Sequence, residues 1–509
     1  MSQRKRHATR RAARRPPASG RKPTGRLTPR DIATSAEELL AFQAHFESLF
    51  ARQEQRDWFR FYMCGQLSNL ERKTVEPMVL ALLGVNESAI RTVQHFLGQS
   101  SWETEPLLEQ AQALVADWLG EPDGVVIVDG SGFPKQGTHS AGVGRQYCGH
   151  VGKVTNCHEG VFILYASRRG YAFLDKRLYV LAEWFTADYA DRWKACGIPE
   201  TLSFHTEPEL GLNMIMVLVE RGVLPFRWVT CDARYGEIPA FLDGIAALGK
   251  WYFAEVAADT RVWRRTPPVE PPGRGLLGRP RTHPRVKRTA PPPYEMRELV
   301  TQVPAAQWQR YMIKEGSQGP LVAEFACMRV TPIRDELPGS RCWAIFRRTL
   351  APQSEVKFFL SNAPLTCSLQ EFVRVSGLRW PIETGLEEGK GEVGMDQYET
   401  RTWLGWHHHM TQSILAHLFL VRLQLVFQKK SRVDHRPSAS THCARHRQRP
   451  RDMARYLGGS ALSSASQLCR LSFAPQANTC TTGPSSVTTT QTQKLVITPY
   501  FSLSCYFSL

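Results

Sequence analysis

The chain reads as an α/β protein with a helical part in front of it, and three observations carry that reading. Residues 35–119 place apolar side chains at three- and four-residue steps, the period of a helix. From Asp123 the pattern turns to short apolar, β-branched runs, Val125-Val-Ile-Val128 and Phe226-Arg-Trp-Val-Thr-Cys231, each followed by an acid. Between Leu299 and Pro364 several strand-like segments follow one another with no helical stretch between them.

In the helical part, Leu39, Leu40, Phe42, Phe46, Leu49 and Phe50 mark one apolar face, and Val79, Leu80, Leu82 and Leu83 a second. Asn86 before Glu87-Ser-Ala-Ile90 predicts a capped helix through Phe96. No helix-turn-helix signature separates a DNA-reading role from a plain scaffold. Strands are expected at Val125–Val128, at Val161–Tyr165 and over Tyr171–Leu181, the later ones antiparallel and joined by short turns. A helix over Leu210–Glu220, a strand to Cys231, a helix over Ile238–Leu248 and a strand over Lys250–Val256 complete an α/β pattern. Thr266–Pro293 is dense in Pro and Arg and predicts a linker or loop outside the core. A helix is expected over Ser368–Val375 and a strongly apolar one over Trp406–Val426. His407, His408 and His409 open the last; three adjacent residues point to different sides of a helix, so they are read as DNA-facing or solvent histidines, not metal ligands.

A length of 509 residues allows two or three domains, and 42% hydrophobic content excludes a wholly disordered chain. Sixty-four basic against 47 acidic side chains give +17, which points to a polyanionic partner, nucleic acid first. A membrane surface comes second, but no apolar run is read as long enough to span a bilayer, and no secretory signal is expected at the N-terminus. Twelve scattered cysteines without a C-x-x-C pair favour reduced thiols. Met1–Arg26 holds ten Lys or Arg and no acid, with Pro and Gly that discourage regular structure; it is expected to be a disordered arm adding phosphate affinity or solubility. Residues 431–509 hold only Asp434 and Asp452 as acids and little periodicity, which suggests an irregular or frameshifted tail.

The stretch Arg379–Arg401, R-W-P-I-E-T-G-L-E-E-G-K-G-E-V-G-M-D-Q-Y-E-T-R, organises the rest. Pro381 suits a first helical position, and Glu383, Leu386, Glu387 and Lys390 then share one face. Gly385, Gly389, Gly391 and Gly394 mean that such a helix needs tertiary support. Asp129 and Asp232 at two strand exits and Glu383 on this helix form a set of separate carboxylates of the kind hard divalent cations need. Alone, Asp129 reads as the cap of a Gly-rich turn and Asp232 as the cap of a helix.

Taken together, these blocks resemble the DDE-superfamily transposases of bacterial insertion sequences, nearest the branch with a Tyr-x2-Arg-x3-Glu-x6-Lys signature. Arg379, Glu383 and Lys390 match that spacing, and Ser376 stands where the tyrosine would be. D-G-S-G-F-P-K-Q-G, G-V-G-R-Q-Y-C-G and G-K-V-T-N-C resemble the first-aspartate block, V-T-C-D-A-R-Y-G the second, and G-W-H-H-H-M the helix after the glutamate. The resemblance covers roughly residues 35–428. It implies an RNase H-like core, a mixed sheet flanked by helices, with a β-rich insertion and a preceding helical domain. The expected divisions are a basic arm (1–34), a helical, potentially DNA-binding domain (35–120), the first part of the core (121–265), a Pro/Arg-rich loop and β-rich insertion (266–365), core completion (366–428) and the tail (429–509). It also implies that Asp129, Asp232 and Glu383 bind two Mg²⁺ ions, for which Mn²⁺ can substitute. Arg379, Lys390, Lys135 and Arg145 are the expected DNA contacts. The expected partners are duplex DNA, as terminal inverted repeats and target, and a second copy of the chain. The place of action would be the bacterial cytoplasm, at the nucleoid. The reaction implied is cleavage to a 3′-hydroxyl and its joining to target DNA. The alternatives are a catalytically inactive DNA-binding derivative and a metal-dependent nuclease without strand transfer.

Overall fold

The β-branched run at Val125 has neighbours on both sides, and this places it at the centre of a large mixed sheet. The computed structural model describes residues 29–433 apart from 274–281, 317–318 and 351–354. Most of the expected basic arm and nearly all of the expected tail lie outside the described residues.

Five helices come first: α1 (Pro29–Glu47), α2 (Gln53–Leu67), α3 (Val75–Leu83), α4 (Glu87–Gly98) and α5 (Glu105–Leu119). Asn86 caps α4 as its sequence predicts, its side chain accepting from the Ala89 N–H at 2.9 Å. Phe50 packs tilted against Phe59 and edge-on against Trp102, with ring centroids 4.9 and 5.5 Å apart, so aromatic residues of the helical part form one small core.

The sheet then builds from β1 (Val125–Pro134), β2 (Gly144–Cys148), β3 (Lys153–Ala166) and β4 (Tyr171–Tyr179). After α6 (Ala190–Ala195) and α7 (Glu207–Arg221) come β5 (Trp228–Cys231), α8 (Ala233–Gly236), α9 (Pro239–Ala247), β6 (Trp251–Val256) and β7 (Arg261–Trp263). β1 is antiparallel to β3 and β3 to β4, whereas β5 is parallel to both β1 and β6. The central order is thus β4-β3-β1-β5-β6. The antiparallel strands follow short connections, and the parallel ones are fed by helical crossovers.

The Pro/Arg-rich stretch contributes a two-stranded ribbon, β8 (Val269–Glu270) with β9 (Arg285–Val286). β10 (Tyr294–Glu295) and α10 (Met296–Thr301) lead into β11 (Gln309–Gly316), β12 (Gly319–Arg334), β13 (Leu337–Pro338), β14 (Cys342–Thr349) and β15 (Val356–Ser361). These strands extend the central sheet, because β15 pairs antiparallel with β6 and β12 and β14 follow outward.

Three helices come last among the described residues: α11 (Leu369–Leu378), α12 (Pro381–Val393) and α13 (Trp403–Val433). Gly385 and Gly389 of α12 do receive tertiary support. A Cβ at Gly385 would lie 2.8 Å from Leu164 Cδ1, so the helix rests against β3 at close range. Buried Glu388 anchors the same helix, accepting from the Tyr171 hydroxyl at 2.9 Å and facing His417 Nε2 at 3.2 Å. In α13, Trp403–Phe427 is long and apolar enough by composition to cross a bilayer, which corrects the reading that no such run exists. Most of it is buried against β4, α2, α4 and α12, as befits a core helix. The histidine reading is also corrected. His408 and His409 are fully buried; His408 faces the Leu97 and Trp102 carbonyls, and His409 faces Tyr62 Oη and the Met395 carbonyl. Most of α13 is covered by its neighbours, so His408, His409 and Ser413 find their hydrogen-bond partners inside the protein.

Candidate active site

Asp129 lies within β1, not at its end. The strand runs on to Pro134 because β3 offers an antiparallel partner as far as Cys157. Only toward β5 does pairing stop, at Ile127–Thr230, so Asp129 stands just beyond the parallel part of the ladder. Its Oδ1 accepts from the Gly130 N–H at 2.8 Å. Asp232 directly follows β5 and caps α8, its Oδ1 accepting from the Tyr235 N–H at 3.4 Å. Glu383 sits in the first turn of α12. The three carboxylates, far apart in sequence, border one cleft of about 1200 Å³.

Burial first, then the Asp232 charge, pushes Asp129 up to about 7, against the pull of Arg379 and of the Gly130 N–H. Burial also raises Asp232, offset mainly by Arg379. Arg379 is the shared counter-ion: its Nη1 lies 3.2 Å from Glu383 Oε1 and 3.7 Å from Glu255 Oε2. Burial works against its guanidinium, yet the Glu255, Asp129, Glu383 and Asp232 carboxylates hold it above its ordinary value. The donor chemistry fits hard divalent cations: every donor is a carboxylate oxygen, and a cation would relieve the repulsion between Asp129 and Asp232. The set is open as it stands. Among the described residues, no three His, Cys, Asp or Glu side chains converge closely enough to enclose an ion unaided.

The expected DNA contacts fall into different places. Lys390 borders the cleft, donates to the Gly132 carbonyl at 3.1 Å and lies 4.7 Å over the Phe133 ring. Lys135 is turned inward, donating to the Tyr398 carbonyl at 2.9 Å above that residue's ring, and burial lowers it to about 8. Arg145 stands exposed on β2, opposite Asn156. Ser376, at the tyrosine place of the signature, is buried and its hydroxyl accepts from Arg347 Nη1 at 3.1 Å. Glu387, one turn beyond Glu383, also borders the cleft.

Sequence reasoning missed Glu159, Arg234 and Asp396 at the cleft and Glu255 beside Arg379. Glu159 did leave a signal: it is the one acid in β3, ahead of the run Val161–Ala166, all of which is buried. A lone charge at the head of a buried strand is costly unless it has a partner or a task.

Residues 45–320, just over half of the chain, match a family model described as DDE superfamily endonuclease. The match takes in Asp129 and Asp232 and stops short of Glu383. The probable transposase for insertion sequence element IS701 from Microchaete diplosiphon is 28% identical over 212 residues, which are 42% of this chain and 51% of that protein. The chain thus spans about half the length of this curated relative. Among solved structures, a piggyBac transposase synaptic complex with hairpin DNA aligns over 87% of this chain and 80% of its own, at 11% identity and a TM-score of 0.37. The NurA nuclease from Sulfolobus solfataricus aligns over 66% of this chain and 94% of its own, at 9% identity and a TM-score of 0.23. Structural likeness at these scores carries no argument.

Proposed function

Because the chain belongs to the DDE superfamily of endonucleases, we propose that it is an insertion-sequence transposase that cuts and joins DNA at the cleft bordered by Asp129, Asp232 and Glu383. The observation that carries this reading is the meeting of those three carboxylates, from within one strand, the end of a second and a helix, at one opening. They would hold two Mg²⁺ ions, with Mn²⁺ able to substitute. Divalent cations held in this way activate an attacking oxygen and stabilise the leaving oxygen of an in-line phosphoryl displacement. Arg379 offsets the repulsion within the acid set, and Arg145, exposed on β2, can meet a phosphate directly. Lys390 and Lys135 would serve phosphates by exchanging their present carbonyl partners.

In the proposed reaction, water attacks the phosphorus at the element end and the 3′-oxygen leaves as a hydroxyl. That 3′-hydroxyl then attacks a target phosphodiester, forming one P–O bond as another breaks. The partners in this reading are duplex DNA, as terminal inverted repeats and target, and a second copy of the chain bound to it. The helical part ahead of the sheet is the proposed additional DNA-binding domain, and the cytoplasmic nucleoid the proposed place of action. The finer fold reading is an RNase H-like core, supported by the antiparallel β4-β3-β1 and parallel β1-β5-β6 halves of the sheet.

The test is a cleavage and joining assay with Mg²⁺ on duplexes that carry the element ends. Asp129→Ala, Asp232→Ala and Glu383→Ala should each abolish cleavage and keep DNA binding. Full cleavage by any of the three would sink the assignment. Nicking without joining by the unaltered protein would point to a nuclease, and binding without nicking to an inactive derivative.

A further inference from the structure

A second group of buried oxygens lies on the other side of β1. Residues opposed in an antiparallel pair share a sheet face, and successive residues alternate. Asp129 opposes Phe162 and Gly132 opposes Glu159 in an unbroken register, so Glu159 lies on the face opposite to Asp129. Glu159 reaches the cleft from there because Gly130 and Gly132 have no side chains. A Cβ on Gly130 would lie 2.7 Å from Glu159 Oε1 and 3.2 Å from Glu207 Oε2. A Cβ on Gly132 would lie 3.1 Å from Glu159 Oε2. The two carboxylates thus crowd the same bare stretch of backbone, Glu159 from β3 and Glu207 from the first turn of α7.

Both are almost wholly shielded, with 4% and 3% exposure, and each keeps an Oε2 with no hydrogen-bond partner. Arg234 pairs with Glu207 through Oε1 and leaves those two oxygens unmatched. A third orphan lies within the field of Glu207. Tyr235 is fully buried and its hydroxyl has no partner. Its ring packs against α7 beside Gly211, with Cε1 3.5 Å from where a Cβ there would stand. Gly211 is one turn along the same helical face from Glu207. Of the three, Glu159 borders the open cleft, and buried, unmatched oxygens of this kind form a costly arrangement that a cation would satisfy.

We propose that Glu159 and Glu207, with the Tyr235 hydroxyl beside them, form a divalent-cation seat on the face of β1 opposite to the Asp129 set. Two carboxylates suffice for such a seat, since Mg²⁺ and Mn²⁺ in oxygen sites retain waters and take one or two protein carboxylates. Burial and the Glu207 charge push Glu159 up to about 8, and burial pushes Glu207 up to about 7; a bound cation would reverse both. The seat does not depend on the catalytic reading of Asp129, Asp232 and Glu383.

The test counts Mn²⁺ bound per full-length chain, by electron paramagnetic resonance of the free ion and by calorimetry. It compares the unaltered protein, Glu159→Gln/Glu207→Gln, Tyr235→Phe and Asp129→Asn/Asp232→Asn. The glutamine pair should lose one Mn²⁺ per chain, whereas the asparagine pair should keep that ion. Tyr235→Phe, which removes a single oxygen, should weaken the same ion severalfold and covers the case in which the glutamine pair does not fold. Unchanged Mn²⁺ number and affinity in a folded glutamine pair, or in Tyr235→Phe should the pair not fold, would overturn the seat and leave the carboxyls sharing a proton. Retained DNA cleavage by the asparagine pair would instead overturn the catalytic reading and leave the seat standing.

Discussion

Glu383 and Glu387 are one turn apart on α12, and both border the cleft. They differ in what stands behind them: Glu383 faces Arg379, which in turn is held by Glu255 and sits within the field of Asp129 and Asp232. That coupling places Glu383 in the acid set. Glu383→Gln should therefore reduce DNA cleavage by two orders of magnitude or more, and Glu387→Gln by less than tenfold, measured as single-turnover rates on one duplex. The reverse ranking would move the third acid one turn along. At this scale the helix period put Glu383, Glu387 and Lys390 on one face, because that relation is local, and only the family signature's spacing preferred Glu383 to Glu387. Glu159 was not legible in that way. Its place depends on two glycines across a strand pair, a relation that no local spacing records.

At the scale of elements, α12 shows how one residue type takes opposite roles three positions apart. Gly394 ends the helix in the left-handed region at φ +70°, and a Cβ there would meet Lys73 Cβ at 2.8 Å. Lys73 is the tie between the first helices and this one, donating to the Gln66 carbonyl at 2.7 Å and to the Glu392 carbonyl. Gly391 is exposed, helical, and has open space where a Cβ would stand. Gly394→Ala should cost about 1–3 kcal/mol through strain and contact. Gly391→Ala should gain about 0.5–1 kcal/mol by removing backbone freedom from the unfolded chain. Urea denaturation midpoints of the two variants decide both signs. The helix itself was readable from Pro381 and its apolar face. The joining of β15 to β6 was not, because about a hundred residues separate the paired segments and nothing local in either names the other.

Across the whole molecule, two sets of buried groups set opposite dependences on pH. Burial lowers His158 to about 3, His408 to about 4 and His409 to about 3. A depressed histidine contributes stability that is present above its unfolded value near 6.5 and is lost as pH falls toward the folded one. Glu159 and Glu207, raised to about 8 and about 7, act the other way. Their contribution is complete below the unfolded carboxyl value near 4.3 and is lost as pH rises through 7 to 8. Above pH 6.5 only the carboxyl slope operates among these five groups, so in metal-free buffer their combined effect should stabilise the protein as pH falls from 8 to 6.5. Below 4.3 only the histidine slope remains, and stability should fall steeply. Chemical denaturation midpoints across pH 4 to 8.5 test this, with Glu159→Gln as the discriminating variant. It should flatten the rise between pH 8 and 6.5 and leave the acid limb unchanged, since His158, its neighbour in β3, lies on the opposite face of the sheet against Tyr398, and His408 and His409 belong to α13. An unaltered slope in Glu159→Gln would mean that its carboxyl is already ionised in the folded chain, held by a neighbouring charge instead of a proton.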